Sequence, residues 1–120
     1  MYMIIKIEYL CKFFVIFVTE YRFNLAINTQ IYVYFEIEKG QVINFVVKLS
    51  SMFEKVKYEI FRFDSGHNYP HKDILNKDDQ VIRKVWFKHH TNNEILTKSI
   101  LDIKKNFGRH IERFDKKWFK

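Results

Sequence analysis

Cysteine is nearly absent from the chain, and that removes several functions at once. Cys11 is the single one in 120 residues, so no internal disulfide can close and no paired cysteines can build a zinc finger or ribbon. With no histidine close to it in sequence, Cys11 is expected to be a small apolar residue. A lone cysteine fits a reducing cytoplasm. Proline and glycine are scarce as well, one and three residues, and no repeat, linker or low-complexity segment is visible, which excludes a disordered tail. A long apolar run is also missing. The opening stretch MYMIIKIEYLCKFFVIFV is broken by Lys6, Glu8 and Lys12, leaving only Phe13 to Val18 uninterrupted. A spanning helix needs about 20 mostly apolar residues, and no small-residue cleavage site follows. The expected structure there is a short strand joining the main sheet, with no membrane partner.

What is present is a packed-domain composition: 48% hydrophobic and 18% aromatic residues, with 13 Phe and 7 Tyr. The length suits a single domain, 1–120, in which 29–120 form the core and 1–28 an N-terminal extension strand. The charge is +7, from 21 Lys and Arg against 14 Asp and Glu. A positive field attracts polyanions, RNA or DNA first among them. An AT-rich genome would enrich Lys, Ile, Phe, Tyr and Asn in the same way, so charge by itself names no ligand.

Hydrophobic periodicity then orders the chain. In IYVYFEIE (31–38), Ile31, Val33, Phe35 and Ile37 alternate with Tyr32, Tyr34, Glu36 and Glu38, the period of a half-buried strand. Lys39-Gly40 is a tight turn, and VINFVVKL (42–49) returns as a hairpin partner. KVKYEIFRF (55–63) predicts a third strand with Val56, Tyr58 and Ile60 on one face, continuing into Arg62 and Asp64. HKDIL (71–75) and QVIRKVWF (80–87) predict a second hairpin around a turn at Asn76 to Asp79. Thr91 and Glu94 form a capping box ahead of a long helix. Its stripe of Leu96, Ile100, Ile103, Phe107, Ile111, Phe114 and Trp118 must be buried. Its opposite side carries Lys98, Lys105, Arg109 and Lys116, and Gly108 is expected to bend it without breaking it. The predicted fold is α+β: an antiparallel sheet of about five to six strands with one long C-terminal amphipathic helix packed across one face.

Chemistry concentrates in FRFDSGHNYPHKD, residues 61–73. Gly66 and Pro70 argue against a helix there, so His67 and His71 do not form a helical metal pair. Two histidines with Asp64 or Asp73 could hold a metal from a loop, but no third strong ligand stands at a familiar spacing, so neither a metal nor another cofactor is expected. Acid–base chemistry needs less. RNA cleavage requires a base for the 2′-OH, an acid for the leaving 5′-oxygen, and cations on the phosphate. His67 and His71 would exchange the protons, Arg62 and Lys72 would hold the phosphate, and Asp64 or Asp73 would orient a ring. A plain polar surface loop, with Arg62 and Asp64 as a cross-strand ion pair, is the competing reading. His89 and His90 are expected in a solvated loop, and His110 toward solvent. Tyr32 and Tyr34, and Trp86 beside Lys84 and Lys88, could stack on unpaired bases, or pack on the N-terminal segment or in a dimer.

The segments RFDSGHNYPHKDIL, NKDDQVIRKVWF and LTKSILDIKKNFGRHIERF resemble a family of small prokaryotic proteins of uncharacterised activity. Its pattern is Arg-aromatic-Asp-x-x-His, then His-x-Asp, then a C-terminal helix, and the resemblance covers about residues 31–115. More distantly, Arg62, Asp64, His67 and His71 are similar to the Arg-Tyr-Asp and histidine-rich segment of TumE-like toxins of toxin–antitoxin modules. That likeness implies an RNA-directed, metal-independent ribonuclease toxin with a cognate antitoxin protein. The binding residues to go with it are Lys72, Lys84, Lys98, Lys105, Arg109 and Lys116. The alternatives are a non-catalytic nucleic-acid-binding module, or a non-enzymatic interaction protein acting as a homodimer.

Overall fold

The computed structural model describes the backbone of residues 2–10, 15–66 and 68–120, with side chains described for 15–66 and 68–120. Cys11, most of the Phe13–Val18 run's first half and His67 lie outside the described residues.

Alternation builds the sheet. Strand β3 (Thr29–Glu38) sends Ile31 and Val33 inward with no exposed surface, while Tyr32 and Tyr34 face the other way. Lys39 and Gly40 both take positive φ, 51° and 77°, the two-residue turn whose twist matches that of paired strands. The chain then returns as β4 (Gln41–Phe53), with Phe45, Val47 and Leu49 buried. Strands β5 (Val56–Asp64), β6 (His71–Leu75) and β7 (Val81–Trp86) follow, each antiparallel to its predecessor.

The N-terminal segment contributes more than the expected strand. It forms β1 (Tyr2–Leu10) and β2 (Val15–Ala26), and β2 pairs with β3 from Ile16 to Ala26. The result is one seven-stranded antiparallel sheet in chain order. The extra strand beyond the expected count comes from this N-terminal hairpin.

Helix α1 (Asn92–Trp118) crosses one face, packed chiefly on β4 and β5. Leu96, Ile103 and Phe114 are buried, and Ile100, Phe107, Ile111 and Trp118 pack partly buried beside them. The capping box is formed: Glu94 N–H donates to Thr91 Oγ1 at 3.1 Å and Thr91 N–H donates to Glu94 Oε1 at 3.0 Å. Pairing of β3 with β4 slips between Glu36↔Asn44 and Ile37↔Val42, leaving Ile43 of β4 as the extra residue beside Val42, which meets the helix start. Val42 N–H donates to Asn93 Oδ1 at 3.0 Å, and its carbonyl accepts from Asn92 at 3.1 Å. The helix runs unbroken through Gly108. Among the described residues no helix is long and apolar enough to cross a membrane.

A second bulge corrects the expected facing of β5. Pairing with β4 slips between Leu49↔Phe61 and Ser50↔Glu59, which leaves Ile60 as the extra residue. Tyr58 therefore joins the helix side, against Phe53, Phe114 and Phe119, while Glu59 shares the open face with Arg62. Val56, Tyr58 and Ile60 do not continue as one face into Arg62 and Asp64.

Candidate functional site

The open face of the sheet, opposite α1, gathers the polar cluster foreseen at the end of β5. Register pairs Arg62 with Asp73 and Asp64 with His71, so all four side chains leave the same face. Strand β7 adds Lys84 opposite Asp73 and Trp86 opposite His71. His71 sits at the centre, its side chain only 2% exposed. Its Nε2 lies 3.1 Å from Asp64 Oδ1 and 3.6 Å from Asp73 Oδ2. Its Nδ1 lies 3.2 Å from the carbonyl oxygen of Tyr69. A carbonyl can only accept, so Nδ1 carries a hydrogen and Nε2 is aimed between two carboxylates.

The neighbours fix the two carboxylates. Asp64 Oδ1 also accepts from Gly66 N–H at 2.8 Å, and a Cβ at Gly66 would lie 3.1 Å from that oxygen, so a side chain there would push Asp64 by a few tenths of an ångström. Lys84 Nζ is 3.1 Å from Asp73 Oδ1 and 5.3 Å from the Trp86 ring centre. Trp86 packs on His71 with ring centres 5.0 Å apart. Arg62 is committed elsewhere. It donates from Nε and Nη2 to both oxygens of Glu59, at 2.8 and 2.9 Å, and hydrogen bonding to Glu59 holds its guanidinium above its ordinary pKa. The expected Arg62–Asp64 ion pair is thus replaced by a fork on Glu59.

Alternation separates Lys72 from this cluster. It pairs with Phe63 and emerges on the helix side, its Nζ 4.2 Å from the Phe61 ring centre and 5.2 Å from that of Phe63. Burial lowers the Lys72 ammonium below its ordinary pKa, and the nearby Asp102 carboxylate offsets part of that. Lys72 cannot share a phosphate with Arg62 and His71 in this arrangement. His110, expected toward solvent, also lies here, packed edge-on against Phe61 with its Nε2 2.9 Å from Asp102 Oδ2. Burial lowers its pKa more than Asp102 raises it. His89 is exposed, whereas His90 is half-buried against Phe87.

The exposed aromatics behave differently from free stacking platforms. Arg22 lies 4.8 Å and Lys48 5.5 Å from the Tyr32 ring centre, so cations already cover it. The Tyr32 hydroxyl donates to Glu20 at 2.6 Å, and burial followed by that bond pushes its pKa up to about 12. The Tyr34 hydroxyl is bonded to Glu36. A hollow of 590 Å³ lies over Arg22, Tyr32, Lys48 and Glu59, away from His71.

The remaining predicted binding residues stand on the outer side of α1. Lys98, Lys105, Arg109 and Lys116 are all exposed. At about 100° per residue their spacings of seven, four and seven keep them within about 20° of one line, directly opposite the buried stripe. That row spans about 27 Å at 1.5 Å per residue. Lys116 is shared with Glu112, 3.0 Å away. Lys84 belongs to the other side of the molecule, so the predicted binding set is divided between two surfaces and the interior. Glu59, the Tyr69 carbonyl and Asp102 had gone unnoticed. Asp102 and His110 are eight apart, two helical turns, and that spacing was the available signal.

The chain belongs to the family described as "Domain of unknown function (DUF7718)", which matches residues 18–120. No curated protein and no solved structure matches it.

Proposed function

We propose that the chain is a small basic RNA-directed protein that holds a phosphate backbone along the outer row of α1. The observation that carries this reading is the row itself: four exposed cations in one line on a rigid helix whose other side is anchored in the core. Phosphate contacts of this kind bind any sequence and weaken with salt as counterions are released. Four contacts to a single strand give a slope of about −2.8 in log affinity against log salt. A rise from 50 to 200 mM salt should therefore weaken binding about 50-fold. Fluorescence anisotropy with a labelled single-stranded RNA measures it. Lys105→Glu with Arg109→Glu should at least halve the slope, and a flat salt dependence in the wild-type protein would remove the reading.

A second reading is favoured by the cluster of Arg62, Asp64, His71 and Asp73 beside the 65–70 loop. In it the chain is a metal-independent ribonuclease toxin, restrained by a cognate antitoxin protein, with His67 and His71 moving protons. A ring only 2% exposed does not reach an RNA 2′-OH in this arrangement, which ranks this reading second. Incubating wild-type protein with total RNA, with and without chelator, tests it. Intact RNA in both samples would sink it.

A further inference from the structure

We propose that Asp64, His71 and Asp73 form a binding site for one divalent transition-metal cation. Their candidate ligand atoms all lie within 4.8 Å of one another. Metal–ligand bonds of about 2.0–2.2 Å place neighbouring ligand atoms about 3.0–3.6 Å apart around the ion. The distances from His71 Nε2 to Asp64 Oδ1 and Asp73 Oδ2, 3.1 and 3.6 Å, fall in that interval.

The surroundings are those of a metal-ligating histidine. The Tyr69 carbonyl takes the Nδ1 hydrogen and sets the ring so that Nε2 points at both carboxylates. Gly66 N–H and Lys84 Nζ hold the carboxylates in turn. Lys84 engages Oδ1 of Asp73 and leaves Oδ2, the oxygen facing His71, for the ion. Two carboxylates neutralise a divalent charge, which matters at a place where the histidine is buried and Asp73 nearly so. One imidazole nitrogen with two carboxylates suits zinc or manganese better than magnesium or calcium, which favour all-oxygen sets. Linear spacing in the 64–73 segment predicts no metal site, because no third strong ligand stands at a familiar interval. Strand pairing supplies the set instead, bringing Asp64 across to His71 while Asp73 follows two residues along the same face.

The test is titration calorimetry of chelator-treated full chain with zinc chloride, and separately with manganese and magnesium chlorides. Zinc should bind at one equivalent per chain, and magnesium should not bind. Asp64→Asn and Asp73→Asn, which keep side-chain size, should each weaken zinc binding on the order of 100-fold. His110→Gln, which alters the other side of the sheet, should leave it unchanged. Thermal unfolding gives a second readout: the melting midpoint of the wild-type protein should rise with added zinc and that of Asp73→Asn should not. Absence of saturable zinc binding to the wild-type chain overturns the proposal. So does one-equivalent binding that survives in both Asn variants.

Discussion

Replacing Ile103 by alanine probes the contact on which the whole arrangement depends, the seating of α1 on the sheet. Ile103 has no exposed surface and belongs to the same buried cluster as Ile31, Val33, Phe45 and Leu49. The change removes three carbons, about 2.4 kcal/mol of transfer free energy at about 0.8 kcal/mol each. The cavity left in a cluster that relaxes only partly adds to this, giving about 3–4 kcal/mol. For 120 residues the unfolding entropy near the midpoint is about 0.25 kcal/mol/K, so the midpoint should drop by about 12–16 °C. Leu101, two residues away and 62% exposed, is the matched control, and its alanine variant should stay within about 0.5 kcal/mol of wild type. Calorimetric or circular-dichroism melts of the three proteins suffice. Equal midpoints for Ile103→Ala and Leu101→Ala would mean that the helix turns a different side to the sheet. The row of Lys98, Lys105, Arg109 and Lys116 would then not be the outward one.

Two further outcomes follow from the helix. Gly108 is exposed in mid-helix and a Cβ added there meets nothing within 4 Å, so Gly108→Ala should stabilise by about 0.5–1 kcal/mol in urea unfolding, and a loss of stability would refute an unstrained helix at this point. His110 has its pKa lowered from 6.5 by burial, so below about that pH the unfolded chain takes up this proton more readily than the folded one. Its contribution is present above that value and is lost as pH falls through the lower folded value; urea stability should drop from pH 7.5 to 5 less steeply in His110→Gln, and an equal drop in both proteins would contradict it.

Much of the fold was legible because period-two alternation and the helical stripe are direct consequences of burying one face. The hairpin at Lys39-Gly40, the capping box and the pairing of Arg62 and Asp64 with Asp73 and His71 all follow from local rules. What escaped them was set by an irregularity in strand pairing. Nothing in KVKYEIFRF announces that Ile60 bulges, yet that single extra residue moves Tyr58 to the helix side and Glu59 to the open face. Glu59 then takes the guanidinium that had been assigned to Asp64 or to phosphate. Lys72 is a different case. Its neighbours His71 and Asp73 face one way, so alternation already required it to face the other, and closeness in sequence concealed this. His110 was misjudged because the polar edge of the helix meets Phe61 rather than water.

The distribution of charge explains why the two surfaces suit different ligands. On the open sheet face most basic groups described have an acid or ring close by: Lys48 and Arg62 share Glu59, Lys84 holds Asp73, and Arg22 lies on Tyr32, while Lys57 donates to the neutral Gln30 amide. Polyanion attraction there is largely cancelled, while the paired carboxylates around His71 favour a small cation. The segment 92–120 has eight Lys and Arg against Glu94, Asp102, Glu112 and Asp115, so four of the seven net positive charges lie in the helical quarter of the chain. Lys98, Lys105 and Arg109 on its outer side have no carboxylate within ion-pair distance among the described residues. Exposed cations without local acids retain their attraction for phosphate, screened only by solution salt over about 10 Å at 0.1 M. A basic composition thus becomes a directional property of this fold, because most cations of the open sheet face are matched by nearby acids or rings while, among the described residues, Lys98, Lys105 and Arg109 on the helix are not.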